Sequence, residues 1–183
     1  MRIGILTYHI SNNFGAVLQA YALYKAISLL DAEVEVIDYR NQKMQELFDA
    51  TYSFKGKSGI ELLKHIITLS TKIREKNRFI QFISDNIRLS KERCIDTESL
   101  IAKESDYDRI LCGSDQIWNM DINGNDANYF LAFCNKSEKK AAYAPSFGKE
   151  STDLDRNEKI HFKELLSQFR FLSVREVQGQ NII

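Results

Sequence analysis

The chain predicts an α/β fold, a Rossmann-like and mostly parallel sheet with helices on both faces. Short apolar runs alternate with longer stretches of helical period, the order produced when each strand is followed by a crossover helix. The first run, Ile3-Gly4-Ile5-Leu6, is continuously apolar, as in a strand covered on both sides. A third observation locates the working end of the sheet. Leu111-Cys112-Gly113-Ser114-Asp115-Gln116-Ile117-Trp118 takes an apolar strand into glycine and small polar residues, then into the only tryptophan present. Open α/β sheets bind ligands in the crevice beyond the carboxyl ends of their strands, which is where such an exit lies.

The elements follow in order. Residues Arg2 to Tyr8 form the first strand, and Asn12, Asn13 and Gly15 supply the turn after it. A helix runs from about Ala16 to Leu30, with Lys25, Ser28 and Asp31 on a narrow side facing water. Val34 to Tyr39 reads as the second strand and completes a strand-helix-strand unit. Residues 41 to 57 show no period and read as an irregular connection. A helical insertion spans about 59 to 90, its helical region running from Gly59 to Ile87 and packing as a helical pair on one side of the sheet. Its apolar side begins at Leu62 and continues through Phe79, Ile80, Phe82 and Ile83, and the charged run Lys72 to Arg78 reads as a solvated face. A short helix over Thr97 to Glu104 precedes the strand Asp108 to Cys112. Asp121 to Asn128 reads as a loop. Lys140 to Ala144 is a strand ended by Pro145 and Gly148, Asn157 to Phe169 a helix, and Phe171 to Val174 a strand. Val177 to Ile183 reads as the opening of a helix.

The 183 residues, 44% of them hydrophobic and 27% charged, are enough for one domain with a buried core. Twenty-five basic residues balance twenty-five acidic ones, so no global basic field points to nucleic acid or to an anionic membrane. Cys94, Cys112 and Cys134 are widely spaced and unclustered, which argues against a zinc site and a disulfide framework. No metal is expected. The chain opens on a strand rather than a signal peptide, and no apolar run is long enough to span a bilayer. The cytoplasm is the expected compartment. No Gly-x-Gly-x-x-Gly follows the first strand, which speaks against a nicotinamide or flavin cofactor.

Four segments, in order, resemble the polysaccharide pyruvyl transferase family. They are Thr7-Tyr8-His9-Ile10-Ser11-Asn12-Asn13-Phe14-Gly15-Ala16-Val17-Leu18-Gln19-Ala20-Tyr21-Ala22-Leu23; Val36-Ile37-Asp38-Tyr39-Arg40; Asp108 to Trp118; and Ala142-Tyr143-Ala144-Pro145-Ser146-Phe147-Gly148 with Ser173-Val174-Arg175-Glu176. The resemblance implies one half of a GT-B-like architecture, with residues 1–183 as the N-terminal domain and a C-terminal donor-site domain absent from this chain. It implies transfer from phosphoenolpyruvate, a substrate rather than a cofactor, onto a sugar of a cell-surface glycan or its precursor. A separate C-terminal half, or a homo-oligomer, is the expected protein partner. Arg175 matches the family arginine implicated in donor binding and catalysis.

That chemistry requires a cation for the donor's carboxylate and phosphate, an acid for its methylene carbon and a base for the attacking hydroxyl. Arg175 suits the first role, with a surface salt bridge as the alternative. His9, at a strand exit, suits acid or base work because imidazole titrates near neutrality; bracing of its loop is the alternative. Asp115 suits acceptance of a hydroxyl proton. Asn12, Asn13, Gly15, Gln19, Gly113, Ser114 and Gln116 are the substrate-binding candidates, set against plain turn and capping chemistry. Trp118 stacks on a sugar ring or floors the pocket, or else it is core. Two competing readings remain, a truncated glycan- or ligand-binding module without catalysis and a flavodoxin-like nucleotide-binding domain.

Overall fold

The computed structural model describes residues 1–48, 59–148 and 154–182. Five strands form one parallel sheet in the order β2-β1-β3-β4-β5: β1 (Arg2–Leu6), β2 (Glu33–Val36), β3 (Arg109–Cys112), β4 (Lys140–Ala142) and β5 (Phe171–Leu172). The α/β Rossmann-like architecture read from the sequence is therefore present. Register follows the apolar pattern, with Ile5 beside Val36 on one flank and beside Leu111 on the other.

Alternation along the strands divides the core between the two faces of the sheet. Ile3, Ile5, Val34 and Val36 meet Val17, Ala20, Leu23 and Ile27 of α1 (Phe14–Ser28), together with Phe79 and Ile83 of α3 (Ile60–Asn86). On the opposite face, Leu6, Ile110, Cys112 and Ala142 meet Leu100 of α4 (Thr97–Glu104) and Phe162, Leu165 and Leu166 of α6 (Arg156–Leu166). Capping boxes start α4 at Asp96 and α6 at Asp155, satisfying amides that the first turn leaves without partners.

Several sequence expectations need correction. The insertion is a single helix rather than a pair, because Ile60–Asn86 contains neither glycine nor proline to break it. The connection expected to be irregular over 41–57 contains a seven-residue helix, α2 (Gln42–Phe48), capped by Asn41 Oδ1 accepting from the Met44 amide at 2.8 Å; residues 49–57 lie outside the described residues. The loop expected over 121–128 holds α5 (Met120–Asn123) and a 3-10 turn over Ala127–Phe130. Asn119 and Asp126 cap these two turns, so the excess of Asn and Asp reflects caps on elements too short to show a period. The chain closes its described part with α7 (Val177–Gln180). After α3, residues 88–94 run beside β2 with parallel bridges Val36–Leu89 and Tyr39–Cys94, a pairing the sequence did not reveal.

Candidate functional site

In a 2-1-3-4-5 sheet the connection after β1 leads one way and the chain later returns to its other side. The crevice between the ends of β1 and β3 is the topological switch point, where ligands of such sheets bind. Gln19, on the first turns of α1, ties the two exits together. Its Nε2 donates to Thr7 Oγ1 at 3.0 Å and to the Tyr8 carbonyl at 3.3 Å, while its Oε1 accepts from the Ser114 amide at 3.1 Å. Ser114 Oγ adds a longer contact to the same oxygen, at 3.4 Å. Gly113 lets the β3 exit pass close to the β4 exit. Its φ is +133°, and a Cβ there would lie 2.0 Å from the Tyr143 carbonyl oxygen of the neighbouring strand exit.

Around this clamp lies a cleft of about 480 Å³ lined by Asn13, Gly15, Gln19, Ser114, Asp115 and Arg175. Asn13 caps α1, its Oδ1 accepting from the Gly15 amide at 2.7 Å, so the positive end of the helix dipole faces the cleft. Arg175 comes from the segment after β5. Its backbone amide donates to the Pro145 carbonyl at 3.2 Å, and its guanidinium donates to the Ser114 carbonyl and stands 3.8 Å from Asp115 Oδ1. The Arg175 side chain is 42% exposed, so its fork can also bond an anion arriving from the cleft. The next residue, Glu176, accepts from Ser146 Oγ at 2.6 Å and so holds the β4 exit loop against this segment.

A second hollow, about 310 Å³, shares Asn13 and Asp115 with the first and adds Asn12, Gln116, Tyr8 and Ser11. Asp115 Oδ1 accepts from the Gln116 amide at 2.8 Å, which fixes the carboxylate at the boundary between the two. Ten of the eleven residues singled out from the sequence thus fall into distinct groups. Asn13, Gly15, Gln19, Ser114, Asp115 and Arg175 share a cleft, Asn12 and Gln116 adjoin it, Gly113 lies buried against the Tyr143 backbone just before Ser114, and His9 stands elsewhere.

Two expectations fail on burial. Trp118 is 0% exposed; its Nε1 donates to the Tyr129 carbonyl at 3.0 Å and its ring stacks on Phe130 with centroids 5.0 Å apart. It has no face left for a sugar ring and is core. His9 is 1% exposed, with Nδ1 3.2 Å from the Thr7 carbonyl oxygen and Nε2 3.0 Å from Asp38 Oδ1. Both ring nitrogens are engaged within the protein, and the ring lines a cavity that neither Asp115 nor Arg175 reaches. Its place is that of a brace for the β1 exit, not of an acid or base at the cleft.

Asp38 was missed as a structural centre. Burial alone would push its carboxyl up, but hydrogen bonds from His9 and Arg40 outweigh that and hold it well below the usual carboxylate range. An aspartate at the end of an apolar strand was the available signal. Tyr8 was missed too: it is 5% exposed, its hydroxyl has no hydrogen-bond partner among the described residues, and burial pushes the phenol upward. Among the described residues no three His, Cys, Asp or Glu side chains converge as a metal site, and no helix is long and apolar enough to cross a membrane.

Fold and rim together define a Rossmann-like domain with an anion-capable cleft at its switch point. The profile of the polysaccharide pyruvyl transferase family matches residues 13–183, nearly the whole chain, and the chain belongs to that family. No curated protein and no solved structure matches it.

Proposed function

We propose that this domain takes part in moving a pyruvyl group from phosphoenolpyruvate to a sugar, with the donor at the Arg175 cleft and the sugar hydroxyls at the adjoining hollow. The carrying observation is that Arg175 and Asp115, remote in sequence, meet beside the α1 N-terminus in one cleft. A guanidinium and a helix N-terminus suit a donor bearing both carboxylate and phosphate. Asp115 then accepts the proton of the first attacking hydroxyl. The donor methylene takes up one proton to become methyl, a second hydroxyl closes the ketal, and inorganic phosphate leaves with the remaining proton. An anionic donor competes with Asp115 for Arg175, so its arrival frees the carboxylate for that proton. Asn12, Asn13 and Gln116 are neutral groups suited to orienting hydroxyls without adding charge.

The test combines phosphoenolpyruvate titration by calorimetry with mass spectrometry of acceptor sugars incubated with the donor. Arg175→Ala is expected to weaken donor binding tenfold or more, about 1.4 kcal/mol or greater. Unchanged donor affinity in that variant removes the assignment. Sugar binding without ketal product, even when a separately expressed C-terminal half of a family member is added, favours the binding-module reading instead.

A further inference from the structure

A third cavity, about 230 Å³, opens beside the exits of β1 and β2, and Arg40, Lys76 and Arg93 line it. The three cations arrive from separate places: just past β2, the middle of α3, and the strip that runs beside β2. Among the described residues no carboxylate lines it. Asp38, buried next to the cavity, pairs with the two arginines. It accepts from Arg40 Nε at 2.6 Å and Nη2 at 2.9 Å, from Arg93 Nε at 3.4 Å, and lies 3.0 Å from His9 Nε2. Among the described residues Asp38 is the carboxylate at ion-pair distance from Arg40 and Arg93, so the three cations outnumber the acid that pairs with them. Like charges gathered in a concave, partly desolvated site repel one another unless an anion sits among them.

The arrangement is also held ready. Asp38 pins both guanidiniums, which removes much of the rotamer entropy that binding would otherwise cost. The Lys76 ammonium rests 4.5 Å from the centroid of the Phe48 ring. Tyr8, whose buried hydroxyl has no hydrogen-bond partner among the described residues, borders the same space. The volume lies below the roughly 300–1,000 Å³ of pockets that enclose a drug-sized ligand, a scale suited to a phosphate group rather than a whole sugar chain.

Continuity with the rest of the site says what carries that phosphate. The cationic cavity shares Tyr8, Ile10, Met44 and Phe48 with the hydroxyl-binding hollow, and that hollow shares Asn13 and Asp115 with the Arg175 cleft. We infer that the cavity formed by Arg40, Lys76 and Arg93 binds the phosphate of a phosphorylated acceptor sugar, whose ring lies across Asn12, Asn13 and Gln116 and whose reacting hydroxyl reaches Asp115. Assigning the phosphate to the acceptor rests on the transferase reading; the anion site does not.

Calorimetry on the full chain with glucose 1-phosphate, glucose, inorganic phosphate and phosphoenolpyruvate tests this. Glucose 1-phosphate is expected to bind at least tenfold more tightly than glucose or inorganic phosphate. The Lys76→Ala/Arg93→Ala pair is expected to lose that advantage, and Arg175→Ala to keep it while losing phosphoenolpyruvate affinity. If the alanine pair does not fold, Lys76→Met with Arg93→Gln keeps the side-chain stems and serves the same comparison. Equal affinity for glucose and glucose 1-phosphate, or wild-type binding by the folded double variant, overturns the site. Inorganic phosphate binding as tightly as glucose 1-phosphate overturns the acceptor assignment. Retained glucose 1-phosphate binding with no ketal product from any acceptor, by mass spectrometry and with a separately expressed C-terminal half added, overturns the transferase reading and supports the anion site on its own.

Discussion

Replacing Gln19 by alanine removes the side chain that bonds the exits of β1 and β3 to each other. Two of its hydrogen bonds are short, to Thr7 Oγ1 at 3.0 Å and from the Ser114 amide at 3.1 Å; the other two, at 3.3 and 3.4 Å, are weaker. At about 1 kcal/mol for each short bond, the loss comes to about 2 kcal/mol. Ser114 is half-buried and its turn is the wall of the cleft, so the penalty falls on local opening as well as on global stability. Two kilocalories correspond to about 30-fold in an opening equilibrium. Native-state hydrogen exchange at the Ser114 amide should accelerate by about that factor, and urea unfolding should report a comparable drop. Gln19→Glu separates the two halves of the clamp. It keeps an oxygen for the Ser114 amide but sets a carboxylate against the Tyr8 carbonyl, so protection at Ser114 should persist while the β1 exit loosens. An unchanged Ser114 exchange rate in Gln19→Ala would refute the clamp and, with it, the claim that α1 holds the two loops in one site.

Three further outcomes follow from burial and charge. Trp118 fluorescence should be blue-shifted and resistant to acrylamide until the protein unfolds, and acceptor sugars should leave it unchanged; direct quenching by a sugar would contradict its place in the core. Gly113→Ala combines positive φ, a strain of about 1–3 kcal/mol, with a Cβ 2.0 Å from the Tyr143 oxygen. It should cost more than about 3 kcal/mol in urea unfolding, and a tolerated alanine would show that the exit is differently built. The folded-state value of Asp38 is depressed, so its contribution is fully present above its unfolded value of about 4 and is lost progressively as pH falls from there through the lower folded value. The stability gap between wild type and Asp38→Asn, about 2 kcal/mol at pH 7, should narrow toward pH 3; a constant gap would deny the charge a role.

The apolar run Ile3 to Leu6 and the glycine after Cys112 were readable because strand burial and tight turns demand those residue types locally. The Thr97–Glu104 helix was readable for the same local reason. α2 and α5 were not, since helices of seven and four residues complete too few turns to display a period. Trp118 and His9 were misplaced because the same small polar neighbourhood serves a binding loop and a core turn equally well. Only the packing of Phe130, Phe147 and Asp38 around them tells the two apart.

By itself, the amino-acid order determined the alternating elements, the parallel sheet and the polar character of the strand exits, since these arise from backbone and side-chain preferences over a few neighbouring residues. Which exits meet was decided by the tertiary structure. The sheet order brings β1 beside β3, Gln19 closes the gap between them, and the turn after β5 carries Arg175 to Ser114 and Asp115. The pairing of Arg40 and Arg93 with Asp38, and the arrival of Lys76 at the same cavity, belong to the same level. Charges from three separated segments share one cavity because the sheet, α3 and the strip beside β2 pack together, and no local pattern encodes that distance.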